Sequence, residues 1–182
     1  MILLFDIGNT NTHLGLANGR RVVKQVNMPT TAWFDNTALE AVVSFTGPTW
    51  FKGAAVCSVV PVVTPLVHEM VKHMWHARCL ELTAETLRGV GIDYPRPLTI
   101  GPDRLANAVA ARARFGAPVV VVDFGTAVTF DVVDRAGNYT GGIIAPGLAA
   151  MTDYLHEKTA MLPRLRIREV RSPIGKSTEQ AM

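Results

Sequence analysis

Asp6-Ile7-Gly8-Asn9-Thr10-Asn11-Thr12 and Asp123-Phe124-Gly125-Thr126-Ala127-Val128-Thr129 are two versions of one pattern. Each closes an apolar stretch with an aspartate, continues with one residue and a glycine, adds a hydroxyl or amide side chain, and enters a second stretch with strand character. Gly19 and Gly137 then follow at nearly equal distances, where hairpin turns are expected. Duplication at so long a period implies two similar half-domains facing each other. That is an α/β architecture with ligands at the strand ends between the halves. The expected halves are residues 1–100 and 101–182.

Outward from the two loops, the chain alternates between strand and helix patterns. Strands are predicted over 2–5, 12–16 and 21–28, with Asn18-Gly19 turning the hairpin between the last two. A helix over 37–45, a buried strand over 54–60 and a helix over 65–75 follow. The apolar face of that last helix is Leu66, Val67, Met70, Val71 and Met74, at helical spacing. A short strand covers 79–82, and 85–100 reads as a loop. Gly101-Pro102 opens a helix to 115, with proline at the first helical position and Ala106, Ala110 and Ala113 on one face. Strands over 119–122, 127–133 and 141–144 precede a helix over 148–158. Ser177 or Thr178 caps a last turn.

Composition excludes several classes. With 48% hydrophobic and 18% charged residues the chain is globular rather than disordered. Two cysteines, Cys57 and Cys79, are too few for a disulfide framework, so both are read as reduced. The apolar run 1–5 lacks the length and basic start of a signal peptide, and no run approaches membrane-spanning length. A cytoplasmic protein is expected. A net charge of +3 suits anionic ligands without implying a nucleic-acid surface. Arg164, Arg166, Arg168, Arg171 and Lys176 form a basic stretch with no interleaved aromatics, which reads as a solvated face.

A glycine just after a strand lets the backbone turn its N–H groups to a phosphate, and a strand-end aspartate can hold the cation that goes with it. Asp6, Gly8, Asn9 and Thr10 thus have the parts of a metal–phosphate site, although an Asx-type turn would use the same residues. Asp103 lies in the first turn of its helix, where any aspartate gains from the helix dipole, and Arg104 beside it could pair with a substrate carboxylate. Three other signals fail. Gly175-Lys176-Ser177 resembles the end of a P-loop, but Val170 stands where its first glycine belongs. His68, Glu69 and His73 lack the i, i+4 histidine spacing of a zinc-protease helix, and no G-x-S-x-G occurs.

Asp6-Ile7-Gly8-Asn9-Thr10, Gly101-Pro102-Asp103-Arg104, Asp123-Phe124-Gly125-Thr126-Ala127 with Thr129, and Gly141-Gly142-Ile143-Ile144-Ala145-Pro146-Gly147 occur in that order. Together they resemble the type III pantothenate kinases, also called Bvg accessory factors, of the actin and hexokinase superfamily. The resemblance covers residues 6–178. It implies duplicated actin/hexokinase-like (ribonuclease H-like) half-domains and ATP-dependent phosphorylation of pantothenate. It implies that Asp6, Ile7, Gly8, Asn9, Thr10, Asn11, Thr12 and His13 form the ATP phosphate loop, with Asp6 near Mg²⁺ and Thr126 touching ATP. Asp103 would be the base that takes the hydroxyl proton. Tyr94, Gly101, Pro102, Asp103, Arg104 and Thr178 would line the pantothenate pocket, and Asp123 would hold a monovalent cation, K⁺ or ammonium. A homodimer is expected, with no nucleic-acid or membrane partner. Members of that family continue past residue 182, so the second half-domain is expected to be incomplete. The rival readings are a regulatory protein of the same fold that has lost catalysis, and a sugar kinase or phosphohydrolase of the same superfamily.

Overall fold

Strand β1 (Ile2–Ile7) sends alternate side chains to opposite faces, and Leu3, Phe5 and Ile7 are buried while Asp6 is left on the other face. The computed structural model describes residues 1–169 and 172–182; Val170 and Arg171, named above, lie outside the described residues. Strands β2 (Asn11–Ala17) and β3 (Val22–Pro29) continue from β1 as an antiparallel meander, and Gly19 takes positive φ (+86°) in the turn between them. Helix α1 (Ala38–Thr46) leads to β4 (Gly53–Ser58), which pairs parallel with β1, and α2 (Thr64–Trp75) leads to the parallel strand β5 (Arg78–Glu81). The sheet order is β3-β2-β1-β4-β5. Leu3, Phe5, Ile7, Leu14 and Val56 on the sheet pack with Val42 and Phe45 of α1 and Val67 and Val71 of α2. Burying each valine or leucine here contributes about 1.5–3 kcal/mol. Leu66 and Met74, expected on the buried face of α2, are instead half exposed. The helix covers the sheet with a stripe narrower than its apolar spacing allows.

The second sheet repeats the meander. Strands β7 (Val119–Phe124), β8 (Ala127–Val133) and β9 (Asn138–Pro146) are antiparallel neighbours, with Gly137 at φ +84° in the β8–β9 turn. A two-residue strand, β6 (Gly91–Ile92), adds parallel to β9, giving the order β6-β9-β8-β7. Residues 91–92, placed by the sequence in a loop of the first half, therefore hydrogen-bond into the second sheet, and Leu87 and Val90 join the second core. Helix α3 (Pro102–Phe115) packs on β7 and β8 and also reaches β4 of the first sheet. Its buried face is Leu105, Ala108 and Ala111; Ala110 and Ala113 face solvent, which corrects the alanine face read from the sequence. Helix α4 (Leu148–Lys158) and the short α5 (Thr178–Ala181) end the described chain. Both cysteines are free, and among the described residues no helix is long and apolar enough to cross a membrane.

Candidate functional site

The two Asp-x-Gly loops occupy equivalent places at the ends of β1 and β7. Gly8 N–H donates to the Asn11 carbonyl and Gly125 N–H to the Ala127 carbonyl, each at 2.9 Å. Asp6 sits opposite His13, and Asp123 opposite Thr129, so the first loop is one residue longer than the second. The duplication read from sequence therefore holds, with a one-residue slip after the glycine. The loops meet: the Thr10 and Thr126 hydroxyl oxygens lie 3.2 Å apart across the junction of the two sheets. Thr30 hydroxyl donates to the Gly8 carbonyl at 2.7 Å and Thr30 N–H to the Thr10 carbonyl at 2.9 Å, which fixes the first loop from behind. Gly147 N–H donates to the Thr126 carbonyl at 3.1 Å, tying the second loop to the start of α4. A Cβ at Gly147 would collide with the carbonyls of Gly125 and Thr126.

Within the first loop the side chains divide by strand parity. Ile7 and Thr12 have no exposed surface, so any ligand contact they make is through the backbone. Thr12 hydroxyl is held by Thr30 at 3.1 Å and accepts from the Trp33 indole at 3.1 Å. Asn9, Thr10, Asn11 and His13 are exposed, and a His13 ring nitrogen lies 2.7 Å from the Asn27 side-chain oxygen. Asp6 shares its face of the sheet with His13 on β2 and Cys57 on β4. Loss of solvation raises its carboxyl above the ordinary carboxylate range; His13 opposes this, while Asp103 and Asp123 push the same way. Burial raises the Cys57 thiol well above its usual value, so that side chain stays protonated.

Asp103, in the first turn of α3, where a negative charge gains from the helix dipole, accepts the Arg104 N–H at 2.8 Å through Oδ1. Its negative charge also helps to raise the carboxyls of Asp6 on the first sheet and Asp131 on the second, in each case behind the larger effect of burial. Asp123 is exposed and accepts from the Asn107 amide at 3.1 Å. Among the described residues no group of three or more His, Cys, Asp or Glu side chains is gathered tightly enough to hold a metal ion by itself. Cations at Asp6 or Asp123 would need ligand oxygens and water to complete their shells. That suits Mg²⁺, which keeps several waters and binds by one or two carboxylates plus substrate phosphates.

Next to this acidic centre lies a second group. Arg104 Nε donates to Asp131 Oδ1 at 2.6 Å, and Tyr139 hydroxyl donates to the same oxygen at 3.2 Å. The Tyr94 ring stands 6.2 Å from that of Tyr139 and rests on Gly141, whose φ of +119° favours glycine. The structure thus brings Tyr94, Arg104 and Asp103 into one region. Thr178 starts α5, and among the described residues no hydrogen bond or ion pair joins it to them. Sequence reading missed Asp131, Tyr139, Asn107 and the role of Gly147. Asp131 did carry a signal, since it is the lone charge in the apolar run 127–133.

The sequence profile described as type III pantothenate kinase matches residues 2–182. A type III pantothenate kinase of Akkermansia muciniphila is 45% identical over 180 residues, covering 99% of this chain and 72% of its own length. That of Methylacidiphilum infernorum is 39% identical over 181 residues, covering 100% of this chain and 64% of its own. That of Listeria welshimeri is 37% identical over 188 residues, covering 100% and 73%. Among solved structures, a Baf family transcriptional activator of Campylobacter jejuni superposes with a TM-score of 0.60 at 20% identity, over 98% of this chain and 70% of that one. A Ppx/GppA phosphatase of Aquifex aeolicus gives 0.51 at 12% identity, over 84% and 54%. At such identities the structural likeness speaks to the fold alone.

Proposed function

The chain belongs to the type III pantothenate kinase family, and from that premise we propose that its cleft transfers the γ-phosphoryl group of ATP to the hydroxyl of pantothenate. The product, 4'-phosphopantothenate, opens coenzyme A biosynthesis. The observation that supports this reading most is the meeting of the two loops at Thr10 and Thr126, with Asp6 under the influence of both Asp103 and Asp123. Phosphoryl transfer has a loose transition state, so positioning and charge neutralisation dominate the catalysis.

In this reading the 6–13 loop offers ATP backbone N–H groups other than that of Gly8, which the Asn11 carbonyl holds, and the exposed side chains of Asn9, Thr10 and Asn11, while Thr126 contacts the nucleotide from the other half. Asp103 takes the proton of the pantothenate hydroxyl; its Oδ1 is already engaged with a backbone N–H, which leaves Oδ2 for that task. A general base contributes about 10²–10⁴-fold. Arg104 and Tyr94 hold the substrate's carboxylate end, Gly101 and Pro102 shape the pocket wall, and Thr178 is assigned to the same pocket on the resemblance alone. Mg²⁺ at Asp6 and a monovalent cation at Asp123 would supply counter-charge to the phosphates. We place the divide between half-domains within residues 82–90, upstream of β6, and read the protein as a cytoplasmic homodimer. Nothing observed favours a non-catalytic accessory role.

The test is an ADP-release assay with pantothenate against a panel of sugars, in K⁺ and Na⁺ buffers. Saturable turnover with pantothenate only, higher in K⁺, is expected. Equal turnover with a sugar would overturn the substrate assignment.

A further inference from the structure

The Arg104 side chain is 14% exposed and gripped from three sides. Nε donates to Asp131 Oδ1 at 2.6 Å, one η nitrogen donates to the Phe130 carbonyl at 3.1 Å, and the guanidinium carbon lies 5.8 Å from the centre of the Tyr139 ring. Asp131 and Tyr139 have no exposed surface, so neither can meet a ligand arriving from solvent. Gly142 leaves the room for this arrangement. A Cβ there would strike the Phe130 carbonyl and come within 2.8 Å of the Arg104 η nitrogen. Among the described residues the second η nitrogen has no protein acceptor. Asp131 itself is only half satisfied: Oδ2 is buried without a partner. Burial raises its carboxyl above the usual range, against the pull of Arg104. A carboxylate kept in such a place at that cost needs a reason beyond packing, because an apolar side chain of similar size would serve a core better.

We propose that Asp131, buttressed by Tyr139, is a positioning residue for substrate recognition: it locks the Arg104 fork so that its free edge is presented ready-made to the carboxylate of pantothenate. The proposal rests on the assignment of Arg104 to the pantothenate pocket. The physical gain is preorganisation. A free arginine carries about 2 kcal/mol of rotamer entropy that binding would otherwise have to remove. A guanidinium fixed at Nε can only offer its remaining N–H groups in one plane, which also selects a planar carboxylate over a hydroxyl. Gly142 and the Tyr139 hydroxyl are parts of the same device.

The experiment measures steady-state kinetics for pantothenate and for its analogue in which the carboxylate is reduced to an alcohol, together with thermal melting. Arg104→Met, Asp131→Asn, the double variant and Tyr139→Phe are compared with the parent. Asp131→Asn is expected to raise the pantothenate KM roughly ten- to thirtyfold, the loss of one charge-assisted hydrogen bond, with kcat changed less than about threefold and ATP KM unmoved. It should also lose most of the preference for pantothenate over the alcohol. In the Arg104→Met background the same change should add nothing, because Asp131 acts through Arg104. Tyr139→Phe should move KM in the same direction by a smaller factor, and it decides the matter if Asp131→Asn does not fold. A lower melting temperature with pantothenate KM and carboxylate preference unchanged would make Asp131 merely structural and overturn the proposal. An unchanged pantothenate KM in Arg104→Met would instead overturn the premise about Arg104, and the proposal with it.

Discussion

Asp103 carries the heaviest chemical assignment on the least distinctive local structure, a first-turn position where any aspartate gains from the helix dipole, with Oδ1 accepting the Arg104 N–H. Asp103→Asn keeps that bond and removes only the base. Turnover is expected to fall by roughly two or more orders of magnitude with the melting curve unchanged; near-full turnover would reduce Asp103 to a helix-start residue. Asp123 differs in being exposed and held by a single amide, that of Asn107. Asp123→Ala should abolish the difference between K⁺ and Na⁺ buffers along with most activity, and equal rates of the parent protein in both buffers would remove the cation assignment. Tyr139 gives a pH signature. Burial, aided by Asp131 and opposed by Arg104, pushes its phenol up to about 12 from its usual value near 10. Because the folded-state value is the raised one, its contribution is complete below pH 10 and is lost as pH climbs towards 12, amounting to roughly 2–3 kcal/mol. Chemical denaturation between pH 9 and 12 should show a shallower loss of stability in Tyr139→Phe than in the parent, and parallel curves would contradict it.

Strand β9 shows how an element can be shaped by its neighbours rather than by its own pattern. Gly141 accepts the Tyr94 ring, and Gly142 lies against the Phe130 carbonyl of β8 and the Arg104 guanidinium. Gly142→Ala is expected to destabilise the protein by about 1–3 kcal/mol, as overpacking does, and to raise pantothenate KM. A variant with unchanged melting temperature and KM would mean the β8–β9 contact is looser than described. Most elements were legible beforehand because their signals are local: the Asp-x-Gly loops, the positive-φ glycines Gly19 and Gly137, and the Gly101-Pro102 helix start. Two kinds of feature were not. Strand β6 is two residues long, too short to carry a period, and exists only because β9 offers an edge. The buried face of α3 was misread because alanines occur on both of its sides and fit either; Leu105 decides which side meets the sheets. The Asp131–Tyr139–Arg104 group joins residues 27 and 8 positions apart in sequence, so only tertiary structure assembles it.

The molecule as a whole leaves apolar side chains uncovered on its second half. Val120, Phe124 and Ile143 lie on one face of the second sheet and are each more than half exposed. Contiguous apolar patches beyond a few hundred Å² are uncommon on monomers, so light scattering is expected to show a dimer or larger species, with binding of an apolar dye that falls as concentration rises. A monodisperse monomer that binds no dye would contradict this. The loops at Asp6 and Asp123, the base at Asp103 and the fork at Arg104 stand or fall together on what leaves the cleft. The most direct measurement is therefore the product itself: phosphorus NMR of the protein incubated with Mg²⁺, K⁺, ATP and pantothenate. The expected result is a phosphomonoester resonance of 4'-phosphopantothenate growing as ADP appears, and no such resonance with Asp103→Asn over the same time. Inorganic phosphate in place of the ester, or an ester formed equally by Asp103→Asn, would contradict the account.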